Sequence, residues 1–80
     1  MKLNALNIIS FIEYLKEELK ITEQDIKLIE NNKLFRFDLA KNITNFAFEN
    51  DLKSLEDVSK FNEIEKLYPR LKSTIETYRN

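Results

Sequence analysis

The chain has 80 residues, 42% of them apolar and 34% charged, with a net charge of −1 and no glycine, cysteine, histidine or tryptophan. Absent histidine and cysteine remove the usual metal ligands, the commonest acid–base group near neutral pH and the best nucleophile, and absent glycine removes phosphate-cradling loops. Balanced charge is unlike that of either a basic polyanion binder or an acidic nucleic-acid mimic: residues 1–40 carry six basic and seven acidic groups, and residues 41–80 carry seven of each.

At this length the chain reads as one domain, residues 1–80, that buries roughly 60–65% of its unfolded surface. No disulfide framework is available, which fits a reducing compartment, and the cytoplasm is the expected location. The start, Met1-Lys2 followed by an apolar run, imitates a signal peptide. Asn4, Asn7 and Ser10 interrupt that run, however, and no small-residue cleavage site precedes Glu13–Lys20. No apolar stretch is long enough to span a bilayer, so no membrane association is expected.

In chain order, Ala5, Ile8, Ile12, Leu15 and Leu19 recur at helical spacing, with Ile9 and Phe11 widening the stripe. Asn7, Ser10, Glu13, Glu17 and Lys20 take the opposite side, and Asn4 stands as N-cap. Thr22, followed by Asp25, forms an acidic capping box, while Ile21 and Ile26 occupy the positions of a hydrophobic staple. Asn31-Asn32 ends this second helix, because asparagine tolerates the left-handed conformation that glycine usually supplies.

Lys33–Phe37 fits either an extended connector or the first turn of the next helix. Asp38 reads as the N-cap of a helix to about Glu49, with Leu39, Ile43, Phe46 and Ala47 facing inward. Asp51 or Ser54 starts the next element, where Ser54 and Asp57 repeat the capping-box pattern. Leu55, Val58, Phe61, Ile64 and Leu67 or Tyr68 continue as a helical stripe. Pro69 is expected at the first position of a last helix, Arg70–Tyr78, with Leu71, Ile75 and Tyr78 as its contact line. The fold class is therefore all-α, a compact bundle of four to five short antiparallel helices.

Catalysis is not expected. Glu13, Glu17 and Glu18 on one helix, and Glu63 and Glu65 on another, are interspersed with lysines and read as solvated pairs. Carboxylate metal sites of the di-iron type need histidines, and calcium loops need a central glycine, so no metal and no cofactor are expected.

Two interaction readings remain. In a helix-turn-helix reading, Lys41, Asn42, Thr44 and Asn45 face a nucleic-acid groove, with Asn pairing to adenine edges, but the chain lacks the basic surround that phosphates require. Phe35-Arg36-Phe37 and Phe46-Ala47-Phe48 carry the second. Residues two apart on a helix point about 200° apart, so Phe48 leaves the inward stripe that holds Phe46. Phe48 then either packs against another helix or the Phe37 connector, or it joins Phe37, Arg36 and Tyr14 as an anchor for a protein partner, or for a second copy in a self-associating bundle. The expected function is non-catalytic protein binding, as in a regulator, an inhibitor, an immunity-type protein or an assembly accessory.

Overall fold

The computed structural model describes residues 1–79. Its elements are α1 (Ala5–Tyr14), α2 (Lys16–Leu19), α3 (Glu23–Asn31), α4 (Lys33–Glu49), α5 (Leu55–Lys60), a 3₁₀ turn (Ile64–Lys66) and α6 (Tyr68–Arg79). The described residues contain no strand, and the helices pack as an all-α bundle around one core. Ile12, Ile29, Phe35, Leu39, Ile43, Leu67 and Leu71 are all fully buried there.

Side-chain caps set most helix starts. The Asn4 carboxamide oxygen accepts from the Asn7 amide at 2.8 Å. Thr22 and Asp25 close their capping box in both directions, and the Ser54 hydroxyl accepts from the Asp57 amide at 3.1 Å. Each bond satisfies a backbone donor that the first helical turn leaves free. Both staple residues, Ile21 and Ile26, are buried.

The expected first helix divides at Leu15, whose amide is shared between the carbonyls of Phe11 and Ile12. Leu15 is itself buried, so the division tightens the turn without interrupting the apolar stripe.

Asp38 is not the N-cap of α4. Lys33–Phe37 is helical, and Asn32 caps the helix by accepting from the Phe35 amide at 3.1 Å. Asp38 lies inside α4 and accepts a hydrogen bond from the Tyr78 hydroxyl of α6. Asn32 alone therefore ends α3 and begins α4. The joint is this abrupt because side chains take over the freed carbonyls of α3. Arg36 Nη1 donates to the carbonyls of Ile29 and Glu30 at 2.9 and 2.7 Å, and the Asn31 carboxamide folds back onto the Lys27 carbonyl at 2.8 Å.

The left-handed positions also differ from expectation. Asn32 is extended (φ −130°), whereas Lys20 and Asp51 take positive φ, 54° and 56°. Each closes a Schellman ending: the Ile21 amide reaches the Lys16 carbonyl at 3.3 Å, and the Leu52 amide reaches that of Ala47 at 2.8 Å. A lysine and an aspartate thus stand where most proteins place glycine.

The stripe from Leu55 to Leu67 is not one helix. Its members recur at steps of three only, which drifts about 60° per step around an α-helix of 3.6 residues per turn. That spacing suits a 3₁₀ turn instead. The chain accordingly leaves α5 at Lys60, passes through extended Phe61 (ψ 132°) and re-forms as the 3₁₀ turn. Pro69 falls in the first turn of α6, where its missing amide costs no hydrogen bond.

α4 and α6 run antiparallel, as three rungs between them show. Tyr78 bonds Asp38, Asn42 Nδ2 donates to the Thr74 hydroxyl at 2.6 Å, and Arg70 forks onto both Glu49 carboxylate oxygens at 2.6 and 3.2 Å. As α4 advances, the partners on α6 recede. Phe35 also stacks flat on Tyr78, with centroids 4.5 Å apart and planes 9° apart, and Phe46 meets Phe61 edge to face at 5.7 Å.

A candidate docking face on the fourth helix

α4 has two apolar sides. Phe35, Leu39, Ile43 and Phe46 point into the core, none of them more than 2% exposed. On the other side Leu34, Phe37 and Phe48 are 68%, 59% and 87% exposed. At 100° per residue these three and Lys41 fall within about 60° of arc, one outward stripe about 21 Å long. The spacing of three, four and seven residues is that of a helix seam awaiting a second helix.

Of the expected partner-binding residues, the structure brings Phe37 and Phe48 together on this stripe. Arg36 does not join them, because its guanidinium is spent on the α3 carbonyls. Tyr14, 66% exposed, lines a different groove, between α1 and α5, with Asn7, Ser10 and Leu55. Leu34 is the residue that the sequence reading missed. Its signal was available in the 34–37–41–48 spacing, but only if α4 begins before Leu34 rather than at Asp38.

The electrostatics of the stripe are simple. Lys41 is its one charged member, and its ammonium lies 5.8 Å from the Phe37 ring centroid. Among the described residues Lys41 forms no ion pair. The carboxylates flanking the stripe are already engaged, Asp38 by Tyr78 and Glu49 by Arg70. The Arg70 fork holds the Glu49 carboxyl below its ordinary range, and the bond to Asp38 pushes the Tyr78 hydroxyl up.

Of the nucleic-acid set, Lys41, Thr44 and Asn45 share this outward side, while Asn42 turns to α6 and bonds Thr74. The joint between α3 and α4 is one residue, shorter than the three- to four-residue turn of a helix-turn-helix.

No family model matches this chain, and no curated protein or solved structure matches it. Among the described residues no helix is long and apolar enough to cross a membrane, and no group of acidic side chains is placed to hold a metal ion.

Proposed function

We propose that this protein is non-catalytic and acts by binding another protein through the outward face of α4, as a regulator, inhibitor, immunity-type protein or assembly accessory does. One observation carries the reading: Leu34, Phe37 and Phe48 stay exposed on one helical stripe while the rest of the chain supplies a closed core. Exposed aromatics clustered this way are the usual anchors of protein interfaces. The cysteine-free composition supports a cytoplasmic setting.

Burying each anchor is worth about 1.5–3 kcal/mol, against an association cost of about 4–15 kcal/mol. The three anchors alone therefore give a weak complex, and a tight one needs rim contacts as well.

The test replaces Phe37 and Phe48 by serine together and measures folding and capture separately. The doubly substituted chain is expected to melt within a few degrees of the parent and to lose at least about tenfold in affinity for captured protein, the 1.4 kcal/mol that one lost anchor supplies. Unchanged capture, or a chain that no longer folds, removes α4 as the docking face.

A further inference from the structure

We infer that the occupant of the α4 stripe is an amphipathic helix of another protein that carries an acidic side chain midway between its apolar ones, and that Lys41 keeps the stripe from closing on a second copy of this chain. This rests on the reading of the α4 face as a docking surface, and it adds what the face selects.

Symmetry carries the argument. Lys41 is seven residues from Leu34 and seven from Phe48, at the midpoint of the stripe. A two-fold pairing that uses Leu34, Phe37 and Phe48 of both copies places Lys41 against its own counterpart, whether the helices run parallel or antiparallel. Two ammonium groups then meet inside an apolar contact, where an unpaired charge is expensive to desolvate. No carboxylate on α4 is free to relieve them, since Asp38 and Glu49 are held by α6. A single lysine in a helix seam of this kind sets register and oligomer state at a cost in stability.

An acidic residue at the facing position reverses the sign. It pairs with Lys41 while the apolar residues on either side meet Leu34, Phe37 and Phe48. To span the stripe the partner helix needs about four turns, since the anchors extend over about 21 Å.

The complementary face can be made from this chain itself. In the Lys41→Glu chain the stripe keeps its three anchors and carries a carboxylate at the centre. The substitution is at an exposed position and leaves the fold intact, to be checked by circular dichroism. Sedimentation equilibrium at roughly millimolar concentration, suited to a small interface, compares the parent chain, the Lys41→Glu chain, their equimolar mixture and the Lys41→Leu chain. The mixture is expected to pair at least about tenfold more tightly than either component with itself, and to weaken with added salt. The Lys41→Leu chain, its seam completed, is expected to self-associate without that salt dependence.

A mixture no tighter than its components while the Lys41→Leu chain self-associates, or a parent chain that dimerises as strongly as the Lys41→Leu chain, overturns the charge selection and leaves the docking face standing. If the Lys41→Leu chain and the mixture both stay monomeric, the docking face itself is lost along with the inference.

Discussion

The two sides of α4 are made of similar residues and have opposite fates. Inward, Phe35, Leu39, Ile43 and Phe46 are sealed by the other helices; outward, Leu34, Phe37 and Phe48 meet solvent. A helix that is apolar on both sides is ordinarily buried on both sides. Here the described residues cover only one: the other helices pack against the inward side, and none of them lies across the outward one. Apolar content thus does not tell core from interface. What separates them is whether another element of the same chain arrives.

The sharpest way to break that comparison is to truncate the inward side. Phe35→Ala removes a fully buried ring that stacks on Tyr78 and leaves a cavity between α4 and α6. The expected loss is about 3–5 kcal/mol, a large part of the roughly 4–12 kcal/mol available to a chain of this size. Urea unfolding measures it directly. A loss under about 1 kcal/mol implies that the core repacks freely, and the distinction between the two sides of α4 collapses with it.

The next effect lies where the C-terminal end of α6 is tied to α3. Asp25 is 5% exposed, and Arg79 meets it with Nε at 3.1 Å and Nη2 at 3.0 Å while Thr22 donates from its backbone. Removing this buried carboxylate in Asp25→Ala is expected to cost on the order of 2 kcal/mol. Arg79 first, and then the Thr22 amide, hold the Asp25 carboxyl below its ordinary value against the opposing effect of burial. An acid with a lowered folded-state pKa stabilises the fold above its unfolded value, about 3.9 for aspartate, and loses that contribution as pH falls through the folded value. Between neutrality and pH 5 the Asp25 contribution is therefore flat, and below pH 4 it fades. Comparing the acid unfolding of the parent with that of Asp25→Asn isolates it; parallel curves down to pH 2 defeat the assignment.

A smaller change, of opposite sign, comes from the glycine-free helix ends. Lys20 at φ 54° carries a Cβ in the left-handed region, which costs about 1–2 kcal/mol relative to glycine. Lys20→Gly is expected to recover about 1 kcal/mol after the added freedom of the unfolded chain is subtracted. Asp51→Gly recovers less, because aspartate tolerates that region better. Thermal melts that show both changes destabilising contradict the Schellman reading of these ends.

Much of this was legible in the residues. The inward side of α4 follows from the spacing of Leu39, Ile43 and Phe46, and the caps at Thr22 and Ser54 are interactions within four residues, which a sequence displays openly. The misplaced start of α4 has a different cause. Asn32 and Asp38 are equally good caps locally, and the choice is made by Tyr78, forty residues away, which claims Asp38. The left-handed positions escaped notice for a similar reason: lysine and aspartate carry no local mark of that geometry. The outward stripe was half legible. The offset from Phe46 takes Phe48 off the inward stripe but leaves open whether another element covers it, and Leu34 becomes visible only with the corrected start. Arg36 between two phenylalanines looked like an interface residue until the abrupt end of α3 showed what its guanidinium satisfies.

The smallest expected change in stability is on the outward side, and it sharpens the comparison most. Phe48 is 87% exposed, so Phe48→Ser removes almost no buried surface. Its effect on unfolding is expected to stay within about 0.5 kcal/mol, the range of ordinary surface substitutions. Phe37→Ser is expected to lose slightly more, because the Phe37 ring also meets the Lys41 ammonium. Denaturant midpoints for the two single variants and the pair, set beside that of Phe35→Ala, place the two sides of one helix on one scale. Additive, near-zero losses outside and a loss several times larger inside mean that the outer rings contribute nothing to holding this chain folded. That outcome is what the proposed docking role requires of Phe37 and Phe48: rings that can be changed without loss of the fold. A loss of about 2 kcal/mol or more for Phe48→Ser makes it a core residue and returns the stripe to the fold.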